Sequence, residues 1–119
     1  MDLTYLAEQG VLLYNVSLTV EEGKACSMND AWAKFNKYFW ENVVNKYMKG
    51  VCVIYMGQQA WKSEQYLAPM LHYSWKVSHP ASDAYKGDKW DSENVFQKVD
   101  QVLMANNGDT INWIYRVPF

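Results

Sequence analysis

Arginine is nearly missing from this sequence: of its eleven basic residues ten are lysine, and thirteen acidic residues bring the formal net charge to −2. A protein that holds duplex nucleic acid through many phosphate contacts needs a basic surface with arginine prominent. Broad electrostatic binding of that kind is therefore excluded, while a local site for a single nucleotide is not. Cysteine is scarce as well. Cys26 and Cys52 make neither a CxxC nor a zinc-ligand spacing, which fits a reduced intracellular setting, cytoplasmic or nuclear. Long apolar runs are lacking, and none approaches the roughly 20 residues a membrane span requires. Walker A, GxGxxG, HExxH and GxSxG patterns are all missing, so no metal or cofactor is expected. Ser78 and His79 do not make a nucleophile and base, because adjacent side chains on an extended segment point apart. The sequon Asn15-Val16-Ser17 follows a buried-looking segment with no signal peptide ahead of it, and is discounted as a glycosylation site.

What the chain has in quantity is apolar and aromatic surface. Half of its 119 residues are hydrophobic, and six Trp and nine Tyr are among them. That length suits one compact domain over residues 1–119. Leu3 to Gln9 reads as a short helix stopped by Gly10. Val11 to Tyr14 is a continuous apolar run, the signature of a strand buried on both faces. Polar residues 17–28 read as a loop. Asn29 is placed to cap a helix reaching about Met48, with Trp32, Phe35, Phe39, Val43 and Tyr47 on one face. Val51 to Met56 is the clearest strand, β-branched and closed by Gly57. A short helix over Gln58 to Gln65 follows, then a third strand over His72 to Val77. A last helix begins near Asp91 or Ser92 and buries Val95, Phe96, Val99, Val102 and Leu103. Asn107-Gly108 ends it, and Ile111 to Tyr115 forms an extended tail.

Strands alternating with helices predict an α/β fold, a small three-layer domain with a short parallel sheet of about three strands. Ligands of such sheets bind outside the carboxyl ends of the strands. Those ends are Asn15, Gly57-Gln58 and Ser78-His79, which would bring an amide, a glycine turn and an imidazole to one edge.

The order of these segments resembles a known family. Leu6 to Val20 (LAEQGVLLYNVSLTV) resembles the LA-x-QGVLLLN-x-x-LTV stretch of family 1 uracil-DNA glycosylases. Val51 to Gly57 resembles their VVFLLWG strand and turn, Ser78 to Gly87 their HPSPLSAYRG segment, and Thr110 to Trp113 their terminal P-I-D-W. Four matches in order and at matching spacing make the resemblance specific, and it implies the C-terminal half of that fold. It also implies roles. Asn15 is the base-binding asparagine, accepting from uracil N3–H and donating to O4, a pattern that mismatches cytosine. His79 is the catalytic histidine that hydrogen-bonds uracil O2 and stabilises the departing anion. Gly57 is the glycine that admits a DNA phosphate to the backbone, with Gln58 and Ser82 at phosphate-contacting positions.

The departures carry as much weight. The family's GQDPYH segment, which supplies the water-activating aspartate and the tyrosine that excludes thymine, would precede Leu3. It is not in this sequence, and neither is the ring on which uracil stacks. The leucine wedge that fills the gap of a flipped base is replaced by Ser82-Asp83. Recognition of a uracil-type base, free or in single-stranded DNA, without cleavage by this chain alone is the expectation. Asp83 or Asp88 near His79 would be the only local substitutes for the missing aspartate. The alternatives are one half of a split glycosylase, or a protein-interaction or decoy module that reuses the fold. Without the family's first strand the sheet needs rewiring, a strand-donating partner or a homo-oligomer, since open strand edges invite aggregation.

Overall fold

The computed structural model describes residues 3–15, 29–81 and 90–114. In chain order these form α1 (Thr4–Ala7), α2 (Asn29–Tyr38), β1 (Cys52–Met56), α3 (Gln58–Trp61), β2 (Tyr73–Val77) and α4 (Val95–Asn107). The helix of α2 continues through a π-helical turn, Phe39–Val44, into a last turn, Asn45–Tyr47; α3 continues as a 3-10 turn, Lys62–Tyr66. Contacts divide the chain into two compact units, Asn15–Val95 and Met1–Tyr14 with Phe96–Phe119.

The larger unit is an α/β structure built on one parallel pair. β1 and β2 run in register from Cys52↔Tyr73 to Met56↔Val77. Parallel strands need a crossover between them, and α3 with its 3-10 turn supplies it. Val53 and Tyr55 of β1 and Val77 of β2 are buried, and the Tyr55 ring meets Trp40 of the π turn edge-on at 6.1 Å. Val44, Leu67 and Val95 complete the apolar core of this unit. Two polar side chains fix the return toward β2. Asn45 accepts from the Ala68 N–H at 2.9 Å and donates to the Tyr66 carbonyl at 2.7 Å. His72, buried, accepts the Val51 N–H on Nδ1 at 3.1 Å.

The buried stripe of the long helix differs from the one its aromatic spacing suggested. Asn36, Trp40 and Val44 are buried, whereas Phe35 is 43% and Tyr47 74% exposed. The inward face is thus displaced by one residue from the expected 35–39–43–47 row. Trp32, Phe35, Phe39 and Trp40 instead pack in sequence on one another, at centroid separations of 5.4, 6.5 and 5.5 Å.

In the smaller unit α1 closes with a Schellman-type pair, Gly10 N–H to Ala7 O at 3.0 Å and Val11 N–H to Leu6 O at 3.1 Å. Gly10 adopts φ +89°, as that closure requires. Gln9 then clasps Asn112 from both sides, accepting its N–H at 2.7 Å and donating to its carbonyl at 3.1 Å. Asp100 of α4 accepts the Ile111 N–H and the Trp113 indole N–H, each at 3.0 Å.

Two expected elements are corrected. Val11 to Tyr14 is not a strand: it has no regular structure, and Leu12 and Leu13 are 69% and 58% exposed. The sheet of the described residues accordingly has two strands, not three. An apolar run has a strand's composition, but a ladder exists only where a neighbour takes its N–H and C=O groups, and the Val11 N–H is already spent on Leu6. The tail over Ile111 to Ile114 has no regular structure. Finally, α4 begins at Val95 because Glu93 and Asn94 take left-handed φ of 54° and 59°, with Asp91 accepting the Glu93 N–H at 2.8 Å.

Candidate functional site

The carboxyl ends of β1 and β2 lie side by side because the strands are parallel and directly paired. Each strand runs straight into one of the expected site residues. β1 is followed by Gly57, whose N–H continues the ladder by donating to the Val77 carbonyl at 2.8 Å. β2 is followed by Ser78 and His79. The chain turns sharply at Gly57, with φ 90° and ψ 162°, a region open almost only to glycine. A Cβ placed there would stand 3.0 Å from His79 Cβ and 3.6 Å from Cγ and Cδ2 of its ring. Gly57 therefore does two things: it makes the turn, and it leaves the space in which His79 sits.

His79 itself is exposed, and its Nδ1 accepts the Ala81 backbone N–H at 3.0 Å. A backbone N–H can only donate, so Nδ1 carries no proton in this arrangement and the neutral ring bears its proton on Nε2. The imidazole is thereby fixed as a hydrogen-bond donor through Nε2.

Two indoles that sequence reading passed over converge on the same strand ends. Trp61 Nε1 donates to both the Tyr55 carbonyl, at 3.2 Å, and the Val77 carbonyl, at 3.0 Å. Trp90 Nε1 donates to the Ser78 carbonyl at 2.8 Å. Trp61 lies four residues after the Gly57 turn, one helical turn onward, which is the signal that marks it in the sequence.

Gln58 directly follows Gly57 and is exposed. Asn15 is also exposed, and among the described residues no hydrogen bond joins it to His79 or Gly57. Ser82, Asp83 and Asp88 lie outside the described residues. A shallow cavity of about 270 Å³, lined by Glu64, Gln65, Leu67, Pro69 and Ser74, includes none of the expected site residues. Among the described residues no group of three or more His, Cys, Asp or Glu is arranged to hold a metal ion. None of the described helices is long and apolar enough to cross a membrane.

Two buried titratable groups lie elsewhere in the larger unit. Burial, and after it the Glu64 carboxylate, push the Tyr55 phenol well above its ordinary range, and its hydroxyl has no hydrogen-bond partner. Burial also lowers the pKa of His72, opposed by the Val44 backbone, and its Nε2 is buried without a hydrogen-bond partner.

No family model matches the chain. Curated proteins named uracil-DNA glycosylase do. The chain is 33% identical over 109 residues to that of Vibrio campbellii, covering 90% of this chain and 47% of the relative. With uracil-DNA glycosylase 1 of Listeria innocua it shares 38% identity over 112 residues, 90% of this chain and 48% of that protein. With the Buchnera aphidicola protein the match is 35% over 116 residues, 95% and 50% respectively. The chain thus spans about half the length of the curated relatives it matches, consistent with the C-terminal half of such a protein.

Proposed function

We propose, for a chain that matches about half of a uracil-DNA glycosylase, that it forms the base-recognition half of that enzyme's site and takes part in base-excision repair of DNA. His79 donates its Nε2–H to uracil O2 and stabilises the negative charge that gathers there as the N-glycosidic bond opens. Asn15 accepts from uracil N3–H and donates to O4. Gly57 admits the phosphate of the nucleotide, and Gln58 and Ser82 contact it. The observation that carries this reading is the packing of His79 on the bare Cα of Gly57, with Nδ1 held by Ala81. A histidine held on one side, at the edge where parallel sheets bind their ligands, supports this reading.

Hydrolysis needs a base to activate water. Asn15, Gly57, Gln58 and Ser82 carry no such base and His79 is engaged with uracil O2, so in this reading the half recognises the base and does not cleave alone; uracil release by the chain alone would bring Asp83 and Asp88 forward. Cleavage belongs to the assembly of this half with its complement, in one polypeptide or two.

The test is thermal protection by free uracil at millimolar concentrations, with cytosine and thymine beside it. Asn15→Ala and His79→Ala variants run in parallel with wild type, together with uracil release from a single-stranded oligonucleotide. Uracil should raise the melting temperature of wild type but not of His79→Ala, and cytosine should not raise it. Equal protection of wild type and both variants would remove the reading. A second reading, a surface for a protein partner such as a strand donor, is favoured by the 69% and 58% exposure of Leu12 and Leu13. It is the one left standing if no base protects wild type.

A further inference from the structure

We infer that Trp61 and Trp90 are positioning residues whose indole N–H groups hold the two peptide units ahead of His79 and so set where its ring stands. The inference rests on the reading of His79 as the uracil donor, but its geometry is independent of that reading. Trp61 reaches the Val77 carbonyl at 3.0 Å and Trp90 the Ser78 carbonyl at 2.8 Å. These are consecutive carbonyls. The first orients the Val77–Ser78 peptide plane and the second the Ser78–His79 plane, which contains the His79 Cα. The Val77 carbonyl has both lone pairs engaged, since the Gly57 N–H also donates to it at 2.8 Å.

Trp61 further ties the two strands together, because its one donor is shared with the Tyr55 carbonyl at 3.2 Å. Tyr55 stands two residues before Gly57, and Val77 two before His79. A single indole therefore links matching points on the two arms that meet as Gly57 and His79. Precision is needed there. The Gly57 turn leaves only 3.0 Å between an added Cβ and His79 Cβ, so a small shift of either arm changes the placement of the imidazole. The ring's own hydrogen bond, Ala81 N–H to Nδ1, is exposed and lies on the far side of the histidine in sequence. It fixes the tautomer, whereas the indoles fix the backbone beneath it. Indole suits this task because it is donor-only on a large ring with few rotatable bonds.

Phenylalanine at either position keeps a smaller aromatic ring and removes the N–H, and the Trp113 control carries the same loss of bulk. The test compares Trp61→Phe and Trp90→Phe with Trp113→Phe, which loses an equivalent indole bond, to Asp100, in the other compact unit. Two readouts are taken on the whole chain: the histidine ring signals of His79 by NMR, and the affinity for free uracil. Trp61→Phe and Trp90→Phe should broaden or shift the His79 ring signals and weaken uracil binding about fivefold, the effect of one ordinary hydrogen bond. Trp113→Phe should lower the melting temperature and change neither readout.

Unchanged His79 signals in both Trp61→Phe and Trp90→Phe would overturn the positioning role, whatever uracil does. Altered signals in a protein that never binds uracil would uphold positioning and reject the base-recognition reading instead. If Trp61→Phe fails to fold, Trp90→Phe decides, because its bond lies outside the β1–β2 ladder.

Discussion

Replacing Gly57 by alanine strikes the turn and the histidine at once, and the two costs can be separated. The first is backbone strain. At φ 90° and ψ 162° a side chain sits in a region used almost only by glycine, which costs about 1–3 kcal/mol. The second is the contact. The new methyl would stand 3.0 Å from His79 Cβ, against an optimal carbon separation of roughly 3.5–4.0 Å. His79 Cβ is bound directly to the backbone, so no rotamer relieves the clash and the strand ends must part by about 0.5–1 Å, the shortfall from that optimum. Overpacking of this kind adds about 1–3 kcal/mol. Allowing for shared relaxation, a total near 3 kcal/mol is expected, which at this chain length lowers the melting temperature by about 10 °C.

Gly10→Ala is the matched control. Gly10 has nearly the same φ, +89°, but a Cβ there meets nothing within 4 Å. It should show a loss of about 1–3 kcal/mol, from strain alone. Melting followed by circular dichroism gives both numbers, and uracil protection, tested on the same samples, should vanish only in Gly57→Ala. A Gly57→Ala protein as stable as Gly10→Ala, with uracil protection intact, would refute the claim that Gly57 makes room for His79.

Two further substitutions test the interior. Tyr55→Phe removes a buried hydroxyl that has no partner and should stabilise the protein by up to about 1–2 kcal/mol, read by urea denaturation; a clear loss would show a hydrogen bond there. His72 is buried with a lowered pKa, so the unfolded chain takes up its proton at a higher pH than the folded one. Its contribution is fully present above the unfolded value of about 6.5 and is lost as pH falls from there through the folded pKa. Urea curves at several pH values should show that decline in wild type, and less of it in His72→Gln; equal pH dependence in the two would refute it.

The parts of the fold that show in the sequence are those where side-chain pattern and hydrogen bonding agree. Val51 to Met56 and the alternation through Tyr73 to Val77 gave the parallel pair, and with it the meeting of Gly57 and His79. Where the two disagree, the pattern misleads. Val11 to Tyr14 has the apolar composition of a buried strand, yet its ladder partner is not among the described residues. The long helix conceals its inward face for another reason. The expected row 35–39–43–47 and the buried row Asn36, Trp40 and Val44 both recur at intervals of four, so spacing alone does not choose between them. The aromatics point one residue aside, and a buried asparagine is passed over by any search for apolar stripes. Trp61 and Trp90 were missed because an indole reads as core, while its N–H matters here for which carbonyl it meets.

How tightly this half should hold its base follows from the same inventory. His79 offers one hydrogen bond to uracil and Asn15 two, and each is worth about 1 kcal/mol net. Three such bonds give about −3 kcal/mol, which corresponds to a dissociation constant of several millimolar. An aromatic ring stacked on the base adds about 1–3 kcal/mol, enough to tighten binding about fivefold to 150-fold. The strength of uracil binding therefore reports whether a stacking surface is present. Millimolar affinity means recognition by hydrogen bonds alone, with the stacking surface supplied by the complement. Affinity in the tens of micromolar means that one of this chain's own aromatic rings faces the base, and single aromatic-to-alanine variants that return the affinity to millimolar would identify which.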